Sequence, residues 1–253
     1  ENSDTFRAEV MDNNPVGYWR LGDSSGTTAV DETGTADATY TNGATLGATG
    51  PFSGISQTST NFDGSNDYVE IPNDTAWDLD SGSVQLWVMA EDLNGRQGLI
   101  SRDASGQNNS GHFTLSLNGS TLEFRLQTLS ESNTISASSA LTANTWHQIT
   151  VTWGANGQEI WVDGTRLAQD TDYTDGIAGN DEPWVIGANI WGSADDSSSG
   201  VSDYFNGSIA EVALFDSQLA ETNIDSLYTA GDSGNDLSTL TSGADTDAGT
   251  SGD

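Results

Sequence analysis

WHQITVTWGANGQEIWVDG, residues Trp146 to Gly164, holds two runs of strict alternation, one turn between them and a second turn at the end. Trp146-His-Gln-Ile-Thr-Val-Thr-Trp153 and Gln158-Glu-Ile-Trp-Val162 carry aromatic and β-branched residues at period two, the pattern of strands packed on one face. Ala155-Asn156-Gly157 between them is a turn, so the two strands are antiparallel neighbours. Asp163-Gly164 supplies the positive φ of a tight hairpin, a structural role for Asp163. Trp161 is expected to point into a sandwich. Trp146 and Trp153 stand seven apart, so they must face opposite sides.

Working outward, the same pattern recurs. Ser83–Ala90, His112–Leu117 and Thr121–Gln127 alternate in the same way, and Asn118-Gly119 turns the second into the third. Short strands broken by Gly, Asn, Asp and Ser clusters imply an all-β, two-sheet antiparallel sandwich. A helical pattern runs only from Leu219 to Tyr228, with a first turn possible around Thr5 to Met11. From Asp232 the chain loses aromatic residues and periodicity. The expected division is one sandwich domain over 1–231 and an acidic Gly/Ser/Thr-rich linker or tail over 232–253, with no internal repeat.

Composition narrows the function. The 253 residues carry six Lys+Arg against 38 Asp+Glu, a net charge of −32; all six bases are Arg, Lys is absent, and Asp outnumbers Glu by 27 to 11. A field of that sign repels phosphates, which excludes nucleic acid and anionic membrane as partners and draws divalent cations. Absent lysine with surplus aspartate also suits a saline habitat, where self-repulsion is screened within a few Å. With no Cys there is neither a disulfide framework nor a thiolate metal site. No apolar run reaches the roughly 20 residues that span a bilayer, so membrane insertion is not expected.

PVGYWRLGDSSGTTAVDETG, NFDGSNDYVEIP, SVQLWVMA, WHQITVTWGANGQEIWVDG, WVIGA and FNGSIAEVALFDSQLAETNIDSLYTAG occur in the order seen in one family. Together, over Pro15 to Gly231, the chain resembles the laminin G-like, concanavalin A-like jelly-roll domains, which include the pentraxins. The resemblance implies two curved antiparallel sheets and an extracellular or cell-surface setting, but little chemistry. Within NFDGSNDYVEIP, Asp63-Gly-Ser-Asn66 reverses the chain with no ligand needed. Asp63 also follows the apolar Phe62, where a free carboxylate wants a partner. Calcium, which takes six to eight oxygens, would join such a carboxylate to turn carbonyls. The resemblance implies a structural calcium tying an early loop to the last strand, which makes Asp31 and Glu211 its expected co-ligands. Glu211 also interrupts an apolar strand.

The resemblance further implies a ligand side formed by two loops, one after QGLIS and one after WVIGA. Oxygen donors there are Asp103, Asn109, Asp195 and Asp196, although the acidic-amide-acidic run of pentraxins is not reproduced. Trp191 adds an aromatic surface in the second loop. Catalysis would leave other traces. The Glu-x-Asp-x-x-Glu strand of glucanases is missing, as are the Gln-x-His and Tyr-x-Lys of the alginate-lyase relatives, and His112 and His147 stand alone. The reading is a noncatalytic recognition or adhesion module for carbohydrate or a cell-surface glycan, with calcium as cofactor. The alternative is a structural subunit of a filament, surface layer or virion, whose partners are neighbouring copies.

Overall fold

The structure, a computed structural model, describes residues 2–52, 57–103, 111–129, 131–190 and 200–232. In chain order its elements are α1 (Asn2–Asp12), β1 (Gly17–Trp19), β2 (Thr28–Ala29), β3 (Ala38–Thr41), β4 (Thr45–Thr49), β5 (Thr58–Asp63), β6 (Tyr68–Ile71), β7 (Gly82–Ala90), β8 (Arg96–Arg102), β9 (His112–Asn118), β10 (Thr121–Gln127), β11 (Ser132–Ala137), β12 (His147–Trp153), β13 (Gln158–Val162), β14 (Thr165–Asp170), β15 (Trp184–Ile186), β16 (Asn189–Ile190), β17 (Val201–Ser202), β18 (Asn206–Phe215) and α2 (Glu221–Asp232). Two eight-stranded antiparallel sheets face each other. Sheet A runs β14-β13-β12-β7-β18-β5-β4 with β1 added against β18, and sheet B runs β11-β10-β9-β8-β15-β6-β3-β2. This is the two-sheet sandwich expected from the alternation and the jelly roll implied by the resemblance. The tail from Ser233 onward lies outside the described residues.

One parity of each strand fills the space between the sheets. Val84, Leu86 and Val88 of β7, Ile149, Val151 and Trp153 of β12, and Phe113, Leu115 and Leu117 of β9 belong to that core. Phe113 packs at 4.9 Å from Trp184 and 5.5 Å from Trp153, edge to face. The opposite parity of sheet A makes a second apolar layer under the two helices. Phe6, Val10, Tyr18, Trp87, Trp161, Phe215, Ile224 and Leu227 form it. Trp161 therefore points away from the sandwich, not into it. Its neighbours Ile160 and Val162 take the inner face, and helix α2 gives the outer face an apolar cover that the strand pattern alone does not reveal. Trp146 and Trp153 lie on opposite sides, as their spacing requires.

The helices exist because they cap this layer. Phe6 and Val10, one turn apart on α1, are fully buried, and Phe6 contacts Phe52 at 5.0 Å. The first turn expected near Thr5 is thus part of an eleven-residue helix. On α2, Ile224, Leu227 and Gly231 face inward. A Cβ on Gly231 would stand 2.3 Å from the Trp87 ring, so only glycine lets the helix lie this close.

Strand β18 carries the fold's main irregularity. Its register with β7 shifts between Ala210 and Ala213, at Glu211 and Val212, which marks a β-bulge. The bulge puts Glu211 at φ 55, a conformation uncommon for a residue with a side chain. Alternation then resumes with Val212 and Leu214 in the core.

Candidate functional site

The outer face of sheet B divides in two. Over β6 and β15 it is apolar, where Tyr68 and Val185 are covered by Ala188, Ile190, Val201 and Tyr204 of the small β16–β17 ladder and its flanks. A Cβ on Gly98 would fall 2.2 Å from the Ala188 carbonyl carbon, so glycine is what lets this cover cross the sheet. Over β8, β9 and β10 the same face is polar.

Register brings the polar residues together. Thr114 of β9 sits between Ser101 of β8 and Arg125 of β10, and His112 faces Gln127. Asp103 follows β8 directly. Its carboxylate contacts His112 Nδ1 through one oxygen and receives Arg125 Nη1 on the other at 3.4 Å. Arg125 also donates through Nη2 to Gln127 Oε1. Asp103, His112, Thr114 and Gln127 are all buried, while the Arg125 side chain keeps about a quarter of its surface exposed. Among the described residues, His112 Nε2 and Thr114 Oγ1 have no hydrogen-bond partner. An unsatisfied polar atom at such depth costs on the order of 1–3 kcal/mol, so the cluster is incomplete by itself.

The frame around the cluster is rigid. Asn180, itself buried, donates through Nδ2 to the Gly111 carbonyl at 3.0 Å and the Arg102 carbonyl at 3.4 Å, which pins both strand ends beside Asp103 and His112. Arg102 points the other way, into the interior. It donates to the Glu182 carbonyl (3.0 Å), the Trp77 carbonyl (2.9 Å), Asn73 Oδ1 (2.7 Å) and the Asn180 carbonyl. Burial pushes its guanidinium down to about 10.

Arginine use across the chain sets the electrostatics. Arg7 pairs with Glu32, Arg20 with Glu211, Arg96 with Glu123, Arg125 with Asp103 and Arg166 with Glu159, while Arg102 is committed to four oxygens. Each arginine of the protein already serves an internal acceptor.

Of the expected ligand residues, Asp103 lies in the cluster. Asn109, Trp191, Asp195 and Asp196 lie outside the described residues, in the stretches joining Asp103 to Gly111 and Ile190 to Gly200. Sequence reasoning did not single out His112, Arg125, Gln127 and Thr114 as site residues. His112 and His147 do not stand alone: each meets an aspartate. His147 is structural, because Nδ1 contacts Asp163 Oδ2 at 2.6 Å and Nε2 accepts the Thr142 N–H at 3.1 Å. Asp163 also accepts the Gln148 N–H, and its φ of 50 with Gly164 at 71 makes the tight turn anticipated.

The expected calcium trio does not assemble. Asp31 is buried and accepts the N–H groups of Tyr18, Thr33, Thr35 and Ala36, each at 2.9 Å, so backbone donors fill its lone pairs. Glu211 is wholly buried on the bulge and is held by the Tyr18 hydroxyl and by Arg20 Nη2 at 3.0 Å, a cation where a metal would have to stand. Burial holds the Glu211 carboxyl above the usual carboxylate range, with Arg20 and Tyr18 pulling against it. Burial, followed by the Glu211 charge, pushes the Tyr18 hydroxyl up. Asp63 is exposed and caps its own turn by accepting the Ser65 N–H at 2.8 Å. Among the described residues no three acidic or histidine groups converge to hold a metal. These three residues do not fit a shared ion; each already has a structural task.

Two antiparallel sheets, a helix-covered outer face on one and a polar, incompletely satisfied outer face on the other define a lectin-like sandwich. The family described as the concanavalin A-like lectin/glucanases superfamily matches residues 63–225, and the chain belongs to it. A comparison with curated protein sequences finds no match. Among solved structures, the chain is similar to the receptor binding domain of botulinum neurotoxin mosaic serotype C/D, with a TM-score of 0.64 at 15% identity over 86% of this chain and 51% of that one. It is also similar to the botulinum neurotoxin serotype D ligand binding domain in complex with N-acetylneuraminic acid, with a TM-score of 0.63 at 15% identity over 88% and 52%. The binding domain of botulinum neurotoxin DC in complex with rat synaptotagmin II matches at TM-score 0.63, 15% identity, over the same shares. The chain spans about half the length of these structures, and at this identity the likeness is one of fold.

Proposed function

We propose that the protein is a noncatalytic recognition module of the cell exterior that binds carbohydrate on the outer face of sheet B. The observation that carries this reading is the cluster of Asp103, His112, Thr114, Arg125 and Gln127, with His112 Nε2 and Thr114 Oγ1 buried and unpartnered among the described residues. A sugar hydroxyl, at once donor and acceptor, completes both atoms, and a fixed carboxylate, guanidinium and amide beside them orient it. The lectin-like fold supports the reading, as do neighbours that are receptor-binding domains, one of them in complex with N-acetylneuraminic acid. The reading needs no calcium.

A glycan array tests it. The parent protein is expected to retain a subset of glycans with chelator present, and His112→Ala and Arg125→Ala to lose them while melting as cooperatively as the parent. No retained glycan on a broad array, together with large particles on gel filtration, would move the protein to the structural-subunit class.

A further inference from the structure

We propose a second carbohydrate subsite on the opposite sheet, in the cleft between the β13–β14 edge and the entry to α2, selective for uncharged sugars. It rests on the carbohydrate reading and extends it to a surface that shares no residue with the sheet B cluster. The cleft has a volume of about 530 Å³, within the roughly 300–1,000 Å³ of small-molecule sites. Asn156, Glu159, Trp161, Arg166, Gln169 and Thr171 line one side, and residues 219–221 close the other.

Its polar groups are fixed in advance. Glu159, buried at the base, accepts Trp161 Nε1 at 3.0 Å, Arg166 Nη1 at 2.9 Å and Gln169 Nε2 at 3.0 Å. The Arg166 guanidinium lies over the Trp161 ring, 5.3 Å from its centroid. With Nη1 on Glu159, the Nε/Nη2 edge of Arg166 has no acceptor among the described residues, and the side chain is 42% exposed. Two parallel donors on a rigid fork match two neighbouring oxygens. Gln169 Nε2 is spent on Glu159 and the Asn156 carbonyl, which leaves its Oε1 to accept a hydroxyl proton.

Charge selects the ligand. Arg166 stands against Glu159 and Glu221 at the same cleft, in a protein of net charge −32. A carboxylated or sulfated ligand would meet a local excess of negative charge with no second cation in the cleft lining to offset it. A vicinal diol presents the same pair of oxygens to the Arg166 fork without that charge.

The test is titration of the full chain with methyl α-mannopyranoside, methyl β-galactopyranoside and glucuronate, followed through the Trp161 indole N–H resonance, which is assigned by its loss in Trp161→Phe. The proposal predicts a saturable shift with at least one neutral glycoside, none with glucuronate, and a roughly tenfold or greater weakening in both Arg166→Gln and Gln169→Ala. Arg166→Gln takes the cation from the buried Glu159, which keeps its donors from Trp161 and Gln169, so the variant's cooperative melting is checked alongside the titration, and His112→Ala should leave the shift intact. A resonance unmoved by both neutral glycosides, moved equally by glucuronate, or moved equally in the two variants overturns the second subsite. Array binding that depends on His112 would then leave the primary reading standing. A cleft that titrates while His112→Ala leaves array binding unchanged would overturn the sheet B assignment and support this one.

Discussion

Replacing Arg102 by Met removes a guanidinium sealed in the interior while keeping a side chain of similar length. In the native fold it satisfies the carbonyls of Trp77, Asn180 and Glu182 and the amide oxygen of Asn73, oxygens drawn from two separate stretches of chain. Hydrogen bonds to a charged group contribute about 1.5–3 kcal/mol each, so four amount to about 6 kcal/mol at the low end. Against this stands the cost of burying the cation. The fall of its pKa to about 10 corresponds to about 3 kcal/mol. The difference leaves Arg102→Met less stable by about 3 kcal/mol or more. Urea unfolding of the two proteins at constant m-value measures it. Because Arg102 anchors the strand end that presents Asp103, the variant should also bind glycan more weakly than the parent. A loss within about 1 kcal/mol would mean that the four oxygens find other donors, and that the frame beside Asp103 does not depend on Arg102.

Other perturbations test separate parts of the account. Glu211 has a raised folded pKa, so the stability it contributes is complete below its unfolded value of 4.5 and is lost as pH rises through the folded one. Glu211→Gln should therefore gain on the parent as pH rises above 4.5, by at most about 1.4 kcal/mol per unit; parallel stability profiles would contradict this. Asp31→Ala should cost about 3 kcal/mol or more through its lost backbone donors, equally in calcium and in chelator, and a penalty that vanishes in chelator would restore a metal role. With a charge of −32, unfolding should be easier in low salt than in molar potassium chloride, and flat melting temperatures across that range would show the acids to be locally compensated.

The strands were legible because inner and outer faces differ in polarity, so β10 and β13 begin and end where alternation does. Period two assigns Trp161 and Ile160 to opposite faces but cannot say which face is inner when helices make both apolar. Helix α1 was nearly silent because, among its described side chains, only Phe6 and Val10 are fully buried. The cluster was partly readable. A hairpin closed at Asn118-Gly119 pairs His112 with Gln127 and Thr114 with Arg125 by counting back from the turn. That Asp103 reaches His112 depends on β8 lying beside β9, a pairing made across the stretch between Asp103 and Gly111. Glu211 was visible as an acid in an apolar strand, yet its partners Tyr18 and Arg20 sit nearly two hundred residues earlier, and no local pattern joins them.

The central claim is that a sugar completes the Asp103–His112–Arg125 cluster. Its most direct test follows the imidazole nitrogen resonances of His112 while the glycan retained by the parent on the array is added. The account predicts a saturable change at Nε2, the atom that lacks a partner among the described residues, and its loss in Arg125→Ala. A glycan that binds the parent with the His112 resonances unmoved, and binds His112→Ala with equal affinity, would contradict it.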